Sequence, residues 1–160
     1  LRFIASRHSP TPYSDGHSVE RIESDLVPPQ RVSAWREGTV WSIHVAHDSG
    51  RTWLVQGSAG FVPGALAGLR AETVFLGTGT LGKKPEAYRE QFWNETVKAV
   101  GARQVLPIHW DNFWRPLELP LQAMPLLLDD FEVVMQDLQA RGLRDGVRIR
   151  MPPLFVPFTL

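Results

Sequence analysis

From Thr39 to Ala46 the chain reads TVWSIHVA, with Trp41, Ile43 and Val45 on one side and Val40, Ser42 and His44 on the other. A period of two predicts a strand with one apolar face. The pattern resumes after HDSG as RTWLVQG, so Asp48, Ser49 and Gly50 supply the turn of a hairpin. Residues 71–77, AETVFLG, form instead a continuous apolar run, the mark of a strand covered on both faces. Pro85 then opens a helix to about Val100, with Tyr88, Phe92, Trp93, Val97 and Val100 toward one face and Gly101 as its stop. RQVLPIH, residues 103–109, is the next strand. The three pieces predict a β-α-β unit with parallel strands and a right-handed crossover.

Before the hairpin, RFIAS at residues 2–6 is a short strand that stops in the proline-rich loop RHSPTPYSDG. Residues 14–37 are polar and weakly patterned, read as loop with at most a helical turn. A second helix is expected at residues 130–141, where Phe131, Val134, Met135 and Leu138 fall at i, i+3, i+4 and i+7. Asp129 with Glu132 resembles a capping box, and Gly142 ends the helix. VRIRM is the last strand, and the tail PPLFVPFTL is a cover strand or an interface. Alternating strands and helices place the chain in the α/β class. At 160 residues it is expected to be one domain spanning 1–160.

Composition changes this picture in three places. The 17 basic and 17 acidic side chains balance, which argues against nucleic acid as the main ligand. No cysteine is present, so disulfide frameworks, thiolate metal sites and cysteine nucleophiles are excluded, and a metal would need His, Asp or Glu. No apolar run approaches the roughly 20 residues of a membrane span, so no membrane partner is expected. The chain begins Leu1-Arg2-Phe3-Ile4 within a strand pattern, which reads as a cut start. Localisation stays open for that reason, with the cytoplasm favoured.

The chemistry-bearing residues fall where strands run out: His8 after the first, Ser58 after the hairpin, the GTGTLG bend of residues 77–82, and His109 with Asp111 after PIHWD. Loops at the carboxyl ends of strands are where α/β sheets bind ligands. His44 and His47 are expected to be ordinary strand and hairpin residues, and His17 a loop residue. Gly77, Gly79 and Gly82 satisfy G-x-G-x-x-G, but Pro85 delays the helix and no acidic residue follows at the right distance, which argues against a dinucleotide site.

Taken together, RHSP, RTWLVQGSAGFVPGAL and AETVFLGTGTLGKKPEAYREQFWNETVKAVGARQVLPIHWDNF resemble the carboxy-terminal half of metallo-β-lactamase-fold hydrolases, over about residues 2–116. The resemblance implies half of a four-layer α/β/β/α sandwich, a mixed sheet with helices on one face. It implies His8 and His109 as metal ligands, Ser58 where the family has a metal-bridging aspartate, and Asp111 as a catalytic orienter or extra ligand. One or two zinc ions and a small-molecule ester, amide or phosphoester substrate go with it. The family's H-x-H-x-D-H cluster is absent from the chain. A serine brings no negative charge to bridge two cations, and one sheet would lie uncovered. The expectation is therefore a partner, either the missing amino-terminal half or a second copy, without which the chain is inactive. The alternative is a catalytically degenerate module of the same fold with a binding or assembly role.

Overall fold

The structure, a computed structural model, describes residues 1–11, 22, 25–31, 34, 36 and 38–160. Most of the polar 14–37 stretch, His17 included, lies outside the described residues. Six strands form one mixed sheet in sequential order: β1 (Arg2–Ala5), β2 (Trp41–Ala46), β3 (Thr52–Gln56), β4 (Thr73–Gly77), β5 (Gln104–Ile108) and β6 (Arg148–Ile149). β1, β2 and β3 pair antiparallel, as the hairpin pattern predicts, and β3 to β6 pair parallel. The fold is thus α/β, with two helices, α1 (Glu86–Trp93) and α2 (Phe131–Asp145).

Strand alternation sorts the sheet's side chains onto two faces. Leu54, Val74 and Val105 are register neighbours, and all three are fully buried in one cluster with Phe92, Trp93, Val97 and Val100 of the first helix and Val134 and Leu138 of the second. Both helices therefore lie on this face. On the opposite face stand Phe3, Trp41, Ile43, Val45, Trp53, Val55 and Phe75, none of which belongs to the core cluster. Trp41 is 46% exposed and Phe3 58%, their rings meeting edge to face at 6.4 Å.

The helices differ from the sequence expectation in their ends. α1 continues past Trp93 into a π-helical stretch, Asn94–Lys98, where the Ala99 amide reaches back to the Asn94 carbonyl. There the Thr96 hydroxyl, fully buried, takes the Phe92 carbonyl at 2.6 Å and competes with the regular ladder. α2 runs one turn beyond Gly142 and stops at Gly146, whose φ of 70° suits a glycine cap. Gly142 answers a different need, since a Cβ there would sit 2.5 Å from the Val147 carbonyl oxygen. Its lack of a side chain lets the chain returning into β6 press on the helix. VRIRM shortens to the two residues of β6, and the tail that follows forms no strand. Instead Arg150 stacks over Phe158 at 5.4 Å, and Arg51 Nη1 donates to the Leu160 carbonyl at 2.8 Å.

An ion network fastens the two helices to each other. Arg141 of α2, only 4% exposed, pairs with Glu86 and Glu90 of α1 and with Asp137 of its own helix. At the far end Trp93 Nε1 donates to Asp145 Oδ2 at 2.7 Å, and Arg144 pairs with the same carboxylate at 2.8 Å. The Arg144 hydrogen bond holds the Asp145 carboxyl down to a pKa of about 2. A depressed folded-state value means that the stabilisation is present above the ordinary carboxyl pKa and fades as pH falls toward about 2. Asp145→Asn should therefore lower the urea midpoint at pH 6, with the gap to the parent closing as pH drops below about 4. A gap that stays constant down to pH 2 would show that Asp145 acts without its charge.

Candidate functional site

Because β1 and β3 both run antiparallel to β2, their carboxyl ends share an edge with those of β4 and β5. The chain leaves that edge four times, once after each of these strands, and the exits are packed into one rim. A Cβ at Gly60 would lie 2.3 Å from the carbonyl oxygens of Arg7 and His8, so the β3 exit rests directly on the β1 exit. The Ser9 amide donates to Ser58 Oγ at 2.8 Å, and Ser9 Oγ shares a hydrogen bond of 2.7 Å with Thr80 of the β4 exit. Tyr88 of α1 donates to the Ala59 carbonyl at 2.8 Å, and Lys84 donates to the Pro10 carbonyl. Burial pushes the Tyr88 phenol up to about 12 and the Lys84 ammonium down, the latter opposed by Asp129.

Gln56 organises the rim from below. The residue is 1% exposed, and its Nε2 donates to the Gly60 carbonyl at 2.7 Å and to the Ser58 carbonyl and Ser6 Oγ at 3.1 Å each. Its Oε1 accepts from Ser42 Oγ on β2. One amide thus joins β2, β3 and the exits of β1 and β3.

The glycine-rich β4 exit is clamped by Asp129. Its two carboxylate oxygens accept from the amides of Thr80 at 3.0 Å and Gly82 at 2.9 Å, and Oδ1 also accepts from Asp130 at 2.9 Å. Burial raises the Asp129 pKa against the pull of those three amides. The amides that a phosphate-binding GTGTLG loop would offer to a ligand are therefore taken by a carboxylate of the chain itself. Asp129 is not the helix cap that its spacing from Glu132 predicts; Asp130 caps α2, accepting from Val133 at 3.2 Å.

The residues singled out by sequence stand as follows. His8 is half-buried, and its Nδ1 donates to the Ser9 carbonyl at 2.9 Å, which places the ring lone pair on Nε2. Ser58 is buried and touches the β1 exit through Ser9. His109 is exposed and takes a φ of 55°, a left-handed conformation that is uncommon outside glycine, although Asn, Asp and His adopt it more often than other side chains. Its ring lies over Gly79, where an added Cβ would sit 3.2 Å from Nε2 and 3.0 Å from the His109 carbonyl oxygen. The rim thus gathers His8, Ser58 and His109. Asp111 belongs to the next segment, bridged antiparallel to Ala123. Trp110 packs on Phe131 with ring centroids 4.9 Å apart, whereas Phe113 lies 5.8 Å from the His109 ring and, with Trp114, stands exposed. His44 bonds the Arg70 carbonyl and His47 caps its hairpin through Ser49, structural roles for both.

Gln56 and Asp129 are the two rim residues that sequence reasoning missed. Gln56 closes an otherwise apolar strand, and that polar interruption is its only signal. Asp129 contacts residues 47 and 49 positions away, for which no local pattern exists. No protein-family model, curated protein or solved structure matches the chain. Any functional reading rests on the residues of the rim.

Two substitutions probe this construction. Gln56→Leu should cost about 2–3 kcal/mol in urea denaturation, because buried carbonyls and a hydroxyl lose their partner; a loss under about 1 kcal/mol would mean that water replaces the amide. His109→Gly should gain about 0.5–1 kcal/mol, since relief of about 1–2 kcal/mol of left-handed strain exceeds the entropy that glycine adds to the unfolded chain. A net loss would show that the imidazole, and not the turn, holds the loop.

Proposed function

We propose that this chain is the carboxy-terminal half of a metal-dependent hydrolase of the metallo-β-lactamase fold, and that the rim is one wall of its active site. The observation that carries the reading is the convergence of His8, Ser58 and His109 on one sheet edge, with His109 held left-handed against Gly79. Backbone strain of this kind clusters where a side chain must be aimed. The apolar sheet face of Trp41, Ile43, Val45 and Val55 supports the same reading, since a second sheet covers that face in the family's four-layer sandwich.

Zinc does not fit this chain's donors alone. A structural or catalytic zinc takes three or four protein ligands. The chain offers two imidazoles, a hydroxyl already bound by Ser9 and, among the described residues, no group of three His, Asp or Glu able to hold a metal. Within the proposal the remaining ligands come from the missing amino-terminal half or a second copy. No catalytic step is assigned to the chain by itself. Its own residues orient: the Ser9 carbonyl fixes the His8 ring and Gly79 seats that of His109, while Asp111 and the exposed Phe113 and Trp114 border the place of a small-molecule substrate.

A second reading, a degenerate module of the same fold with a binding or assembly role, is favoured by Ser58, whose hydroxyl serves the loop packing. Zinc titration of the full chain by calorimetry separates the two. The hydrolase reading expects weak binding that falls by about tenfold or more in both His8→Ala and His109→Ala, because losing a ligand exceeds the 10–100-fold effect of losing an outer partner. Equal affinity in the parent and both variants would remove the histidines as ligands and leave the module.

A further inference from the structure

At the other end of the sheet, the amino ends of β3 to β6, lies a cleft of about 190 Å³. Its floor is one register row, Trp53, Thr73, Gln104 and Arg148, aligned across the four strands. Strands lie about 4.8 Å apart, so the row spans about 14 Å. Arg51 and Arg103 flank the row and also line the cleft. We propose that this cleft binds the phosphoryl group of a small anionic ligand.

Three features of the cleft point to an anion. Three guanidinium groups line it, and Glu72, the one acidic residue among its lining, pairs with none of them. Among the described residues Arg103 and Arg148 make no side-chain hydrogen bond or ion pair, and Arg51 gives one bond to the Leu160 carbonyl. Like charges held together without neutralisation raise the local potential and draw an anion. Next, Thr73 and Gln104 line the cleft between the arginines, and neither side chain is engaged by another among the described residues. Neither is among the buried unpartnered polar atoms, so this hydroxyl and amide face the open cleft, where both can donate to the oxygens of an anion. Finally, among the lining side chains three are cationic and one is acidic, an excess that suits an anionic group such as a phosphate monoester at neutral pH. Arginine forks also match phosphate oxygens two at a time.

Size narrows the ligand. At about 190 Å³ the cleft is smaller than the roughly 300–1,000 Å³ of drug-sized pockets, so it holds a headgroup and not a dinucleotide. Trp53, stacked on His47 at 6.2 Å, supplies a rigid wall beside it. The site is separate from the histidine rim, because the same parallel strands begin at one and end at the other.

The test is thermal denaturation and calorimetry of the full chain at constant ionic strength with inorganic phosphate, glycerol phosphate or acetate. Both phosphates should raise Tm in proportion to the logarithm of their concentration, and acetate should not. Arg103→Gln and Arg148→Gln, both at exposed side chains, should each weaken binding by about tenfold, in line with the loss of a charge-assisted hydrogen bond. His109→Ala should leave it unchanged. Tighter binding of glycerol phosphate identifies an esterified ligand, and equal binding the free ion. No shift with either phosphate, equal shifts with acetate, or loss of binding in His109→Ala but in neither arginine variant would overturn the proposal.

Discussion

The side chain of Gln56 sits where an apolar residue would extend the core of β3, and the edge it occupies depends on it. A buried primary amide is tolerated only if its donors and acceptor are matched. Here the matching groups are the carbonyls of Ser58 and Gly60, the hydroxyl of Ser6 and that of Ser42. Those groups belong to segments that the antiparallel start of the sheet brings together. The amide converts that adjacency into a fixed relation between the exits of β1 and β3. Gly60 completes it by allowing backbone to approach backbone, which any side chain there would prevent. Ser9 then reaches Ser58, and His8 is carried into place.

Asp129 does for the β4 exit what Gln56 does for the other two, by a different route. A buried carboxylate is costly, and its raised pKa records that cost. Backbone amides from Thr80, Gly82 and Asp130 offset it. The bend is drawn against the start of α2, where Gly82 leaves room for the Asp130 backbone. The glycine spacing of the bend thus serves an internal contact, and the loop is closed to phosphate by its own chain. What stays outward on that side is Gly79, and His109 lies across it.

The sequence made the sheet legible because its signals are local. Alternation in TVWSIHVA, the DSG turn and the continuous run AETVFLG each report on neighbouring residues, and the paired registers agree with them. The placement of His8, Ser58 and His109 at strand exits was legible for the same reason. Where the sequence misled, tertiary contacts had replaced local meaning. Gly142 looked like a helix stop but serves close packing against the chain entering β6, and Asp129 looked like a cap but bonds to residues of the β4 exit. Thr96 gave no warning of the π-helical turn, since a threonine in a helix has two ways to spend its hydroxyl and only packing selects between them.

Charge shows the same limit in a sharper form. Equal numbers of acidic and basic residues leave the chain without net charge, which argues against nucleic acid as its main ligand. It says nothing of arrangement. The acids nearest the helices, Glu86, Glu90, Asp137 and Asp145, are bound to Arg89, Arg141 and Arg144 in one network. With these acids committed there, Arg51, Arg103 and Arg148 gather at the amino ends of the strands beside a single unpaired glutamate. Electrostatic potential follows local imbalance within roughly a Debye length, about 8 Å at physiological salt, and not the sum over 160 residues. A neutral chain can thus present a cationic cleft at one end of its sheet and a histidine-bearing rim at the other. The parallel strands β3, β4 and β5 keep the two apart, because each starts beside the arginines and ends in a loop tied down by Gln56 or Asp129 or bearing His109.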